Sequence, residues 1–211
     1  MTRRTANCPN CGATIEFAWA DAVQTTCSYC RSILVRHDVD LEKVGTATTL
    51  PLTPSPLQIG SEGRYKGDVF TVIGRLVYQW ERGKWSEWHL RMATGKSGWL
   101  SDAQADFEIS FLAQPVAALP LAEKLKPGAA LVHGAVSFRA TTVTRAHYIG
   151  TEGELPFEYW DKTDIVFADF RATTGAFATI DYSEDPPLLF TGEPVDLDKL
   201  DLRNLRQFEG W

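Results

Sequence analysis

The residues of this chain best suited to chemistry are its four cysteines, Cys8, Cys11, Cys27 and Cys30. They form two C-x2-C pairs separated by fifteen residues, a spacing that reads as a zinc site. Zinc takes four ligands in a tetrahedron, with thiolate sulfur at about 2.3 Å. Two residues between cysteines let a tight turn aim both sulfurs at one ion. Pro9 and Gly12 suit the first turn, Pro by its fixed φ and Gly by its tolerance of left-handed backbone. The second turn, Cys27-Ser-Tyr-Cys-Arg-Ser32, lacks the glycine and is expected to be less regular. Disulfides and a redox pair compete with this reading. No apolar leader follows Met1, so a reducing, cytoplasmic compartment is the expectation, which disfavours disulfides. No βαβ pattern surrounds either pair, which disfavours a thioredoxin-like site. A filled four-cysteine site leaves no open position for water, so its expected role is structural.

Little other chemistry is legible. Gly95-Lys-Ser97 resembles the end of a phosphate loop, but Leu90 stands where an earlier glycine is required. His37, His89, His133 and His147 are scattered. His89 stands out, between Glu87 and Arg91 on the charged face of an alternating strand. Trp85 shares that face, and Trp160 sits in an acidic insertion, Gly150 to Asp161. A tryptophan ringed by charges has the makeup of an interface anchor. Trp85, Trp160 and His89 are therefore candidate interface residues, and no catalytic residue is assigned.

The elements that must position these residues are strands. Between the cysteine pairs, Thr14 to Trp19 alternates, and Val23 to Thr26 and Ser32 to Arg36 offer two further strands, which together make a ribbon over residues 1–36. Residues 37–56 end in Pro51-Leu-Thr-Pro-Ser-Pro56 and read as an extended linker. Deleting residues 1–50 is then expected to leave a folding β domain. From Asp68 to Phe111, period-two alternation and the turns at Glu81-Arg-Gly-Lys84 and Thr94-Gly-Lys96 predict an antiparallel meander within 57–113. A connector, 114–127, leads to a second segment, 128–211. Leu57-Gln-Ile-Gly60 resembles Leu125-Lys-Pro-Gly128, and Arg91-Met-Ala-Thr-Gly95 resembles Arg171-Ala-Thr-Thr-Gly175, which suggests duplication. The leucines between Asp196 and Phe208 suggest a short terminal helix. The expected fold is mainly β: a zinc ribbon, then a duplicated antiparallel meander packed as a sandwich or as paired half-barrels.

Composition narrows the function classes. Leu, Ile, Val and Phe make up 52 of 211 residues, enough to build a core. No apolar run approaches the roughly 18 residues of a membrane span. The net charge is −6, and residues 150–211 hold most of the acidic excess, which repels phosphate. Arg3, Arg4, Arg31 and Arg36 are the residues a nucleic-acid reading would rest on.

Trp85-Ser-Glu-Trp-His-Leu90, followed by Gly95-Lys-Ser-Gly-Trp-Leu-Ser101, resembles the signature of the family called domain of unknown function 4178. Phe190-Thr-Gly-Glu193 and Leu202-Arg-Asn-Leu-Arg206 are similar to its closing segment. The resemblance implies a bacterial, cytoplasmic protein without an established activity, linked to envelope stress, and it brings no catalytic residues. The leading expectation is a non-enzymatic zinc-ribbon adaptor that binds a protein partner. The alternatives are a nucleic-acid-associated ribbon protein and an enzyme with a pocket between the two β segments.

Overall fold

The computed structural model describes residues 4–37, 40–51, 55–113, 118–160 and 164–207. Near the N-terminus, β1 (Arg4–Asn7) pairs antiparallel with β2 (Thr14–Phe17). A second group, β3 (Gln24–Thr26), β4 (Ser32–His37) and β5 (Asp40–Thr46), forms a meander. Ile15, Phe17, Ala22 and Leu34 pack with Cys8 and Cys27 into a small core. The expected linker over 37–56 is thus corrected in its first half, because Leu41 on β5 packs against that core. Residues 52–54 of the proline run lie outside the described residues.

The remaining strands are β6 (Glu62–Tyr65), β7 (Asp68–Trp80), β8 (Gly83–Met92), β9 (Ser97–Ala103), β10 (Asp106–Leu112), β11 (Ala130–His133), β12 (Val136–Leu155), β13 (Asp164–Ala172), β14 (Phe177–Asp181) and β15 (Leu188–Pro194). β10 pairs with β15 and β7 pairs with β12, so the two meanders close into one eight-stranded antiparallel barrel. This corrects the sandwich alternative. A sandwich is two separate sheets packed face to face, whereas here hydrogen bonding runs unbroken round the ring through the β10–β15 and β7–β12 pairings. Trp88, Leu90, Leu100 and Ile109 lie outside the barrel under Leu57 and Leu200. Ala168, Phe170, Ala178 and Ile180 lie outside it under Leu119 and Leu125 of the connector. Alternate residues of the same strands line the interior. The expected terminal helix is a single 3-10 turn, Leu197–Lys199, that delivers Leu200 to this outer core. Phe208 and Asp161 are not among the described residues.

The two meanders share one register. Shifting Glu62↔Thr71 by 68 positions gives Ala130↔Arg139, the observed pair of β11 and β12. Both halves carry a bulge at equivalent places, Val72/Gly74 and Ala140/Thr142. Glu87↔Ser101 and Phe167↔Asp181 correspond at a shift of 80. A pseudo-two-fold therefore relates the halves. It passes near Phe111↔Thr191, a pair that the operation maps onto itself.

The insertion breaks this symmetry. β7 turns into β8 after Trp80, but β12 runs on beside β7 to Leu155. The prolonged strand pairs with β3 through Glu154↔Thr25 and Leu155↔Gln24, joining ribbon to barrel. The Glu154 carboxylate accepts the backbone N–H of Ala18 at 2.6 Å and of Trp19 at 2.9 Å. Gln24 Oε1 accepts the N–H of Tyr159 at 2.7 Å. Removing residues 1–50 would strip a buried carboxylate of its donors and bare the apolar Leu155, so the ribbon is part of the domain rather than a separable knob.

Closure brings backbones close. A Cβ on Gly153, whose φ is +71°, would lie 2.2 Å from the Ile73 carbonyl oxygen, and one on Gly192 would lie 2.0 Å from that of Ile109. Gly134 has a φ of +58° and open space around it. Gly153→Ala is expected to cost about 3 kcal/mol, combining backbone strain and overlap, against about 1 kcal/mol for Gly134→Ala, which bears the strain alone. Urea unfolding checks this, and equal losses at the two positions would show a loose seam.

Candidate functional site

Two constructions in this fold can do chemistry. The first is the cysteine cluster. The knuckles after Cys8 and Cys27 are built alike, with Gly12 N–H donating to Cys8 O at 2.8 Å and Arg31 N–H to Cys27 O at 2.9 Å. Arg31 takes the left-handed position, φ 61°, that Gly12 holds in the first knuckle, φ 75°. The second turn is thus as regular as the first, with backbone strain at Arg31 in place of a glycine. All four Sγ atoms lie within 4.8 Å of one another. Cys8–Cys30 is 3.7 Å and Cys11–Cys27 is 3.8 Å. Those separations are far too long for a disulfide, whose S–S bond is about 2.05 Å. They match the sulfur–sulfur edge, about 3.8 Å, of a tetrahedron with metal–sulfur bonds of about 2.3 Å. The four cysteines can hold one metal ion and leave it no free coordination position.

The second construction is a cavity of about 650 Å³ inside the barrel. Ala105, Gly175 and Asp196 belong to its lining, which places its mouth among the turns β9–β10 and β13–β14. The opposite end is closed by the insertion, which packs Phe157 and Tyr159 against Tyr78 and Trp99. The ribbon docks beside this closed end. There Trp19 meets the His89 ring edge-on at 5.2 Å, and the Arg91 guanidinium donates to the Ala18 carbonyl.

The cavity wall is aromatic, with Tyr78, Trp85, Trp99, Phe157, Phe167 and Phe190. Carboxylates interrupt it: Glu87, Glu108, Asp169 and Asp181 along the strands, with Asp106 and Asp196 toward the mouth. Glu87 Oε1 accepts Trp85 Nε1–H at 2.9 Å and the Ser101 hydroxyl at 3.0 Å. Asp169 accepts the Thr179 hydroxyl at 2.9 Å, and Glu108 pairs with Arg171. Burial pushes the Glu87 carboxyl up to about 8; those two hydrogen bonds oppose the rise, while the charges of Glu108 and Asp169 add to it. Burial also raises Glu108 and Asp169.

The sequence-predicted candidates fall into three places. Trp85 points into the cavity, because the charged face of its strand is the barrel interior. His89 has 0% exposure and is no surface residue. Its Nδ1 pairs with the Glu154 carbonyl and its Nε2 with the Ser97 hydroxyl, each at 2.8 Å. Burial lowers it to about 4, so it stays neutral. Trp160 is exposed at 37%. Among the arginines, Arg36 covers the Phe17 ring and Arg31 donates to Thr49, while Arg3 lies outside the described residues. Glu108, Asp169 and Asp181 escaped sequence reading, although alternation places each on the same face as its strand's other lining residues.

Glu87 makes a testable mark on stability. Its unfolded carboxyl ionises near 4.5 and its folded one near 8. Between those values the folded state keeps a proton that the unfolded chain has released. The stability that Glu87 contributes is therefore full below pH 4.5, falls as pH rises through the window, and is lost above 8. Glu87→Gln keeps an acceptor for Trp85 and Ser101 without the charge. It is expected to match the parent near pH 4.5 and exceed it by at least about 1 kcal/mol at pH 8.5, read from urea midpoints. A parent whose midpoint is flat across that range would show Glu87 in contact with bulk water.

No curated protein and no solved structure matches this chain. One family does: the profile of a domain of unknown function (DUF4178) covers residues 58–197. That span holds the whole barrel and leaves the ribbon outside it. With most of its length and every barrel strand matched, the chain belongs to the DUF4178 family.

Proposed function

We propose that this protein is a non-catalytic small-molecule-binding barrel, braced at its closed end by a zinc ribbon. The cavity inside the closed barrel carries this reading. An eight-stranded barrel either fills with side chains or holds one small ligand, and a lining mostly aromatic with a few placed polar groups is the makeup of a ligand site. An all-thiolate tetrahedral donor set suits zinc, and its closed shell assigns the ion to structure. The metal-held ribbon supplies the Ala18 and Trp19 donors of Glu154, so it steadies the strand from which the plug residues hang.

Binding of a protein partner comes second. Of its three sequence-predicted anchors Trp160 alone is exposed, joined by Tyr29 at the tip of the second knuckle, exposed at 75%.

Both halves of the proposal are tested on the full chain. Elemental analysis is expected to find one zinc per chain. The neutral fluorophore N-phenyl-1-naphthylamine is expected to bind once, saturably, with energy transfer from Trp85 and Trp99. Thr144→Phe, which narrows the cavity from β12, is expected to weaken binding about tenfold. Less than half an equivalent of zinc overturns the metal assignment. Absence of saturable uptake by a folded protein overturns the barrel assignment.

A further inference from the structure

We propose that the cavity takes a small organic monocation, a protonated amine on an apolar body, with its ammonium group among Glu87, Glu108 and Asp169 and its body against the aromatic wall. This rests on the reading of the barrel as a ligand site and adds the chemical class.

The charge inventory points there. Arg171 is the one basic residue among the described residues of the lining, against six carboxylates: Glu87, Asp106, Glu108, Asp169, Asp181 and Asp196, the last paired with Lys199 outside the lining. Arg171 is committed to Glu108 and covers the Phe177 ring at 5.3 Å. Glu87 and Asp169 meet neutral donors: an indole N–H and a hydroxyl for Glu87, a hydroxyl for Asp169. A cation entering the cavity would therefore meet Glu87, which has neutral donors alone among the described residues, and Asp169, on which the Arg171 charge acts without a direct ion pair. An anion would meet repulsion from the same groups. The walls favour the same sign, since ring faces attract cations and do so more strongly where water is excluded.

The duplication shows how such a site arises on a symmetric backbone. The pseudo-two-fold equates Glu87 with Phe167, and Glu108 with Leu188. At these two positions the first half contributes acids where the second contributes apolar side chains, while Asp169 and Asp181 of the second half stand where the first has His89 and Ser101, so none of these four acids is repeated across the two-fold. A ligand with one charged end and one apolar end matches that uneven placement of charge, and a symmetric or wholly apolar ligand does not.

Around Glu87 stand Tyr78 on β7, Glu108 on β10, Asp169 and Arg171 on β13 and Asp181 on β14. With Glu87 raised to about 8, the empty site holds a proton at neutral pH that an ammonium group would expel into the buffer. Amine binding should thus release a proton and tighten as pH rises from 6 to 8.

Calorimetry on the full chain compares three probes of one shape: 4-phenylbutylammonium, 4-phenylbutanol and 5-phenylpentanoate. At pH 8 the ammonium is expected to bind at least tenfold more tightly than the alcohol, with the carboxylate weakest. At pH 7 its binding heat is expected to vary with buffer ionisation enthalpy, as proton release requires. Glu87→Gln is expected to reduce the ammonium's advantage about tenfold and to abolish proton release. Uptake of the neutral naphthylamine shows that this variant keeps its fold and cavity. Should that variant lose the cavity, Asp169→Asn replaces it with the same expected loss. If the alcohol binds as tightly as the ammonium, or if the preference survives both substitutions, the cation class is overturned while the barrel remains a ligand site. If the naphthylamine and all three probes fail on folded protein, the binding reading itself falls.

Discussion

Everything distinctive in this protein depends on closing two meanders into a ring, and closure depends on how near two backbones can come. Along the seam of β7 and β12, Gly153 lies so close to Ile73 that even a methyl group has no room. Gly192 serves the same need where β15 meets β10. Both seams are made by pairing like strand with like strand across a pseudo-two-fold, so a duplicated four-strand unit, β7–β10 with β12–β15, can pair both its outer edges with its own copy, while β6 and β11 stay at the margin. A single copy would expose two long edges, and aggregation is the usual result of such edges. The closed ring removes them and encloses a volume that neither half could enclose alone.

Symmetry of backbone and asymmetry of use then go together. The extra residues of the second half could have been an ornament on the surface. Instead they prolong β12 beyond the barrel wall, give β3 a strand to pair with and fold Phe157 and Tyr159 over one end. The buried Glu154 carboxylate and the neutral His89 ring sit at that junction. Each is held by groups from a different part of the chain, and neither would be tolerable there unpartnered. Cysteine cluster, insertion and barrel floor form one mechanical unit, and the open end is left free for exchange with solvent.

Much of this was legible in the sequence, because it rests on local rules. Two C-x2-C pairs can bring four sulfurs together wherever the chain goes next, and the four Sγ atoms do converge. Period-two alternation marks β7, β8 and β10, since a strand must present alternate residues to different surroundings. The short matches at shifts of 68 and 80 fall where the registers of the two halves coincide. The family resemblance, carried chiefly by residues 85–101, lies in β8 and β9 within the first half of the matched span.

What alternation cannot say is which of its two faces meets water. The charged face of β8, with Trp85, Glu87 and His89, looks like a surface when the strand is read alone. It is the interior here, because the apolar face with Trp88 and Leu90 is covered from outside by Leu57 and Leu200. That cover comes from segments that lie far from β8 in the chain. Sequence reading likewise missed β5 in an apparent linker and a plug in the acidic insertion. Sequence determined the strands, the sulfur cluster and the repeat, since each follows from neighbours along the chain. Tertiary structure alone decided that the repeat closes on itself, and only closure turns a charged face inward and gives its carboxylates a shared, water-poor space.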